Sequence, residues 1–233
     1  MRGIRLGLSS RGIAAIFVLG AWALATAQAG DLSNYRGFHF GMSLPAAAKV
    51  TGAQPAEAKT IHQRPALIQE LEWFPHATAV SETLSADPVK DGLLYFYNGE
   101  LSRIAVSYDR YRIEGMTADD LIAAVSATYG PSTKPAAEIT YHSYYGETAP
   151  VLARWEDADY SYNLIRTGDR SSFALVLYSK RLDALAQAAA VESARLDAQE
   201  APQRELEKQK KQASDDSVLL EKARSANKPN FRP

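Results

Sequence analysis

The chain contains no cysteine. Disulfides, thiolate metal sites and cysteine nucleophiles are excluded, and so is the lipidated cysteine of a lipoprotein. A chain without staples depends on its apolar core. Histidine is scarce: only His39, His62, His76 and His142 occur. No two stand four residues apart, and no HExxH pattern is present, so the usual helix-borne zinc site is missing. His142 and Ser143 are neighbours, but adjacent side chains on a strand point to opposite faces. They do not form a nucleophile–base pair. There is no GxSxG and no glycine-rich phosphate loop. No catalytic residue, cofactor site or metal site is predicted. A net excess of either charge is also lacking: 26 Lys and Arg stand against 27 Asp and Glu, a formal net of −1.

Residues 1–29 are the most legible segment. Arg2, Arg5 and Arg11 form a basic start, an apolar run extends from Ile13 to Ala25, and Ala27-Gln28-Ala29 follows. These are the three parts of a secretory signal. The run is shorter than the roughly 20 residues that span a bilayer, so cleavage after Ala29 is expected, with no membrane insertion afterwards. Adjacent arginines are absent, which points to a Sec-type route, passage in the unfolded state and a periplasmic location. Cleavage removes three arginines and no acid, giving a net charge of −4. That is too mild to imply nucleic acid or an anionic membrane as partner. Tyr108-Asp109-Arg110-Tyr111-Arg112 therefore reads as a solvated strand end.

The expected fold class is α+β: two tandem modules, each a short helix on antiparallel strands, with a C-terminal helical arm. The tandem domain covers 35–182, with halves of about 36–110 and 111–182. A charged arm follows over 183–224, and 225–233 is expected to be disordered. Two helix starts carry the duplication. In FGMSLPAAAKVTG, Ser43 caps, Pro45 sits in the first turn and Gly52 closes. In EGMTADDLIAAVSATYGP, Thr117 and Asp120 have capping-box spacing, and Gly130-Pro131 stops the helix. Asp119 and Asp120 suit a helix N-terminus. Each helix is followed by a strand ending in Trp (Trp73, Trp155) and by a hairpin, turning at Asn98-Gly99 and near Gly168-Asp169. Neither half alone has enough to bury. The Glu156-Asp157-Ala158-Asp159 run reads as a turn, because it lacks the alternating ligands of a calcium loop.

The hairpin LLYFYNGELSRIAV has two registers. A two-residue loop pairs Tyr97 with Glu100. A three-residue loop with Gly99 in a bulge pairs Phe96 with Glu100. The second is preferred, since it gathers Leu94, Phe96, Ile104 and Val106 on one face. Tyr95, Tyr97, Leu101 and Arg103 then share the other face and point outward. Tyr packs well in strands for its own sake, but it also suits protein contacts. The candidate protein-binding surface is therefore Tyr95, Tyr97 and Arg103, with Tyr141, Tyr144 and Tyr145 of the YHSYYGE segment. In the arm, Leu182, Leu185, Ala189 and Leu196 form a narrow stripe that suggests weak docking or exposure, and Pro202 is expected to interrupt the helix.

FGMSLPAAAKVTG followed by LLYFYNGELSRIAV resembles the periplasmic α+β modules of the SmpA/BamE outer-membrane assembly lipoproteins, and the doubled arrangement resembles beta-lactamase inhibitor protein. The resemblance covers about 36–180. It implies protein binding without catalysis. The chain lacks the cysteines of both families, and no functional residue is carried over. The expectation is a periplasmic protein-binding or envelope-assembly module with an envelope protein as partner; the alternative is an inhibitor of an envelope or secreted enzyme.

Overall fold

The computed structural model describes residues 30–75, 87–133, 140–142, 148–167, 172–230 and 232. The predicted signal, His76, Ser143, Tyr144, Tyr145 and the Gly168-Asp169 turn lie outside them.

The first described elements are a small hairpin, β1 (Asn34–Tyr35) and β2 (Phe38–His39). Its two-residue loop, Arg36-Gly37, has positive φ at both positions (51° and 88°), the geometry whose twist matches a hairpin. Helix α1 (Leu44–Thr51) follows, then β3 (Lys59–His62), β4 (Ile68–Trp73), β5 (Val89–Tyr97) and β6 (Glu100–Tyr108). The second half repeats that order: α2 (Ala118–Tyr129), β7 (Thr140–His142), β8 (Thr148–Glu156), β9 (Tyr160–Arg166) and β10 (Phe173–Ser179). Helix α3 (Lys180–Asn227) ends the fold with a short 3₁₀ turn at Lys228–Asn230.

All eight strands β3–β10 form one antiparallel sheet in the order β3-β4-β5-β6-β10-β9-β8-β7. Each half is a four-stranded meander. The halves meet where β6 pairs with β10, from Arg103 opposite Tyr178 to Ser107 opposite Ala174. A single continuous sheet solves the burial problem that either half would face alone.

The helix devices are those expected from sequence. Ser43 Oγ accepts from Ala46 N at 3.4 Å, and Gly52 closes α1 at φ 77°. Thr117 Oγ1 accepts from Asp120 N at 3.2 Å, while the Asp120 carboxylate accepts from Thr117 N at 2.8 Å. The Thr117 N–H, together with the Thr117 hydroxyl donating to Asp120 Oδ2 at 2.7 Å, holds the Asp120 carboxyl below the usual range. Gly41 and Gly115, the matching glycines ahead of the two caps, both have positive φ (84° and 80°).

One sheet face carries the main core. Leu94, Phe96, Ile104, Val106, Leu164 and Leu175 pack there beneath α1, α2 and the β1–β2 hairpin. Trp73 and Trp155 are buried on it. Phe38 meets Trp73 edge-on at 5.0 Å, and the Trp155 indole N–H donates to Gly130 O at 3.0 Å and Ser126 Oγ at 3.2 Å. The Glu156–Asp159 run is the β8–β9 turn, with Asp157 Oδ1 accepting from Asp159 N at 2.8 Å and Tyr160 N at 2.7 Å.

Several expectations are corrected. The Asn98-Gly99 loop is the two-residue kind, pairing Tyr97 with Glu100. Both residues take positive φ, 50° and 84°, so no bulge is needed at Gly99. The extra residue comes later, where Tyr95 pairs with Arg103 and Phe96 with Leu101, leaving Ser102 unmatched. Ser102 Oγ donates to Tyr95 O at 3.0 Å inside the bulge. Leu101 consequently joins the main core rather than the tyrosine face. The helix of the arm runs through Pro202 without ending, and it extends to Asn227, so residues 225–227, expected to be disordered, are helical and 228–230 form a 3₁₀ turn.

Candidate binding surfaces

The second sheet face is where Tyr95, Tyr97 and Arg103 stand. It is not open. The first turns of α3 lie across it, and Tyr95 and Arg103 are only 4% and 2% exposed. Arg103 donates to Asp183 in two parallel bonds, Nε to Oδ1 at 2.7 Å and Nη2 to Oδ2 at 2.8 Å. Its guanidinium also lies 5.6 Å from the centre of the Tyr178 ring. Tyr97 is half-buried against Ile68, Ala186 and Ala189. The buried positions of α3 are Leu182, Asp183, Ala186, Ala189 and Ser193, while Leu185 is exposed. The contact stripe is thus small and polar, which lets the helix approach the sheet closely.

The expected surface residues that the structure describes do not converge. Tyr141 is on edge strand β7, with β10, β9 and β8 standing between it and β6. That is about 19 Å at the usual strand spacing. Tyr95 and Arg103 are withdrawn from the surface by the molecule's own helix.

Two other features take their place, the first expected from sequence as a charged helical arm and the second not. The first is the free part of α3. Residues 201–227 are exposed throughout, a rod about 40 Å long at 1.5 Å per residue. Val218, Leu219 and Leu220 are 64%, 63% and 71% exposed. The rod is clasped where it leaves the sheet. Arg64 pairs with Glu200 at 2.6 Å and with Asp197 at 3.3 Å, and Arg204 reaches Asp197 at 2.6 Å and Glu200 at 3.0 Å. The two arginines hold the Glu200 carboxyl down to about 2. Farther back, Ser193 Oγ meets His62 Nδ1 at 3.1 Å.

The second feature is a cleft of about 350 Å³ on the main-core face, at the junction of the two halves. Leu175 of β10 and Tyr108 of β6 contribute from the two central strands, Leu121 and Val125 from α2, and Tyr35 and Arg36 from the first hairpin. Arg36 forms a two-pronged ion pair with Asp87, whose carboxylate also accepts from Val89 N at 2.9 Å. Burial pushes the Tyr35 phenol far above its ordinary range and the Tyr108 phenol up to about 12. Tyr162 lies behind, its hydroxyl donating to Asn34 O at 2.9 Å, with the Tyr129 ring edge-on at 4.8 Å. The sequence signal for these residues was faint. They come from separate segments and share no spacing.

Among the described residues, no group of three or more His, Asp or Glu side chains is placed to hold a metal ion, and no helix is long and apolar enough to cross a membrane. No family model, no curated protein and no solved structure matches the chain.

Proposed function

We propose that the protein is a periplasmic binding module that acts without catalysis and presents its helical arm to an envelope protein. The signal pattern of residues 1–29 supports the address. The observation that carries the binding role is the arm itself. Residues 201–227 are all exposed, and a helix that is polar nearly all round either bridges to another body or rests on its own side-chain pairs alone. The exposed Val218-Leu219-Leu220 run gives a partner an apolar anchor in an otherwise charged rod.

The test is a photoreactive side chain at Leu219, with Tyr111, an exposed residue of the body, as control. In cells, Leu219 is expected to crosslink one envelope protein and Tyr111 is not. Equal labelling from both sites, or none from Leu219, rejects the reading. If the captured protein is an enzyme that the full chain slows and a chain ending at residue 200 does not, the inhibitor form of the proposal holds; if its turnover is unaffected, the assembly form does.

A further inference from the structure

We propose that the cleft between α2 and the β1–β2 hairpin binds a small, neutral, largely apolar molecule that carries a hydrogen-bond acceptor. Its size suits this. About 350 Å³ is at the small end of ligand sites, which are mostly apolar with a few placed polar groups. Its walls suit it too: Ile113, Leu121, Val125 and Leu175 supply aliphatic surface, and Met116 adds an adaptable thioether at the side. A second cavity of about 450 Å³ has a different lining, with Glu57, Lys59, Glu70 and Glu72.

The charge at the mouth narrows the class. Arg36 is the one cation of the lining, and it is already matched two-for-two with the Asp87 carboxylate. An anion arriving there would find the Arg36 charge already compensated by Asp87, and a cation would meet Arg36 itself. Neither gains a net attraction, and both lose hydration on entering an apolar site. The remaining polar groups are the phenols of Tyr35, Tyr108 and Tyr129 with the Thr128 hydroxyl. Phenols are protonated at neutral pH, and burial pushes Tyr35 and Tyr108 further that way, so the O–H groups these two lining residues carry are donors. A ketone or ester oxygen answers such a donor. A carboxylate would answer it too, at the cost of its charge.

Placement adds to the argument. The floor and walls come from both halves of the sheet, at strands β6 and β10. Arg36 is in the left-handed region at φ 51°, where Asn is the better-suited residue. What Arg brings is reach: its pair with Asp87 ties the hairpin over the cleft to the start of β5.

The experiment uses three naphthalene probes of one shape: 2-acetylnaphthalene with a neutral acceptor, 2-ethylnaphthalene with none, and naphthalene-2-carboxylate with a charge. Binding to the full mature chain is followed by calorimetry. The ketone is expected to bind about tenfold more tightly than the hydrocarbon, the worth of one hydrogen bond, and more tightly than the carboxylate. Tyr108→Phe should erase the ketone's advantage over the hydrocarbon. Val125→Trp should abolish binding by filling the space. Should that variant misfold, Thr128→Trp on the exposed turn of α2 blocks the same opening. Ketone binding that survives in a folded blocking variant, carboxylate binding tightest of the three, or no binding of any probe to the native chain overturns the proposal. Since none of these readouts involves the arm, failure here leaves the crosslinking result standing, and the converse also holds.

Discussion

At the scale of single residues, two pairs define the fold's tolerances. Gly92 lies opposite Trp73 in the β4–β5 ladder. A Cβ placed on Gly92 would sit 2.7 Å from Trp73 Cε3, so the missing side chain is what lets the indole lie flat on the sheet. Gly92→Ala is expected to cost about 1–3 kcal/mol by overpacking and almost nothing in a Trp73→Leu background. A urea-unfolding double-mutant cycle reads this directly; equal costs in both backgrounds would refute the contact. The second pair is Arg103 and Asp183, both buried. Asp183→Asn or Arg103→Met alone should cost about 3–5 kcal/mol by stranding the other group, whereas Arg103→Met with Asp183→Leu should recover most of it. Single costs below about 1 kcal/mol would mean the pair is solvated and α3 stands off the sheet. Neither pair is visible in sequence. Gly92 and Trp73 are ordinary residues until the register joins them, and Asp183 looks like a helix-start acid until Arg103, 80 positions earlier, is placed beneath it.

Among the elements, legibility followed locality. α1 and α2 were readable because their caps are written within a few residues of each helix: Ser43, Thr117, Asp120, Gly52 and Gly130. The β5–β6 hairpin was readable in its aliphatic face but not in its bulge, because Asn98 adopts the left-handed conformation that a three-residue loop would leave to Gly99. The docking of α3 was readable only in part. Of the expected stripe, Leu182 and Ala189 are buried, but Leu185 is exposed, and the helix docks as well through Ala186 and Ser193, small residues that a search for leucines passes over. The helix also survives Pro202, which ordinarily costs about 3 kcal/mol in a helix interior; the Arg64 and Arg204 clasp brackets that position. The clasp should respond to acid. Glu200 has a folded pKa of about 2, below its ordinary 4.5. Its stabilisation is therefore present above the ordinary value and is lost as pH falls toward about 2. A spin label at Ala201→Cys, a unique site in a chain without cysteine, is expected to gain mobility over that window. Arg64→Gln should leave the label mobile at all pH values, and a label whose mobility ignores pH would show that the clasp carries no load.

On the scale of the whole molecule, the body and the rod divide the labour of stability. A chain ending at residue 200 should melt within about 1 °C of the full chain, since exposed helix contributes little burial. A chain ending at residue 179 should aggregate, because it uncovers Tyr95, Arg103, Ile68 and Tyr97 together; a soluble, equally stable product of that second cut would show that α3 is not part of the core. The sheet order has a consequence in time. The centre of the sheet is β6 beside β10, and β10 is the last strand of the chain. A polypeptide emerging amino-terminus first therefore completes its first meander while the inner edge of β6 is still bare. That edge waits through the synthesis or passage of everything up to residue 179. Premature folding is disfavoured, but an apolar, unpaired strand is exposed meanwhile to any other such strand nearby. Holding chaperones should accordingly matter most for this protein between the appearance of β6 and the arrival of β10, and slowing translation in that interval should raise its tendency to aggregate.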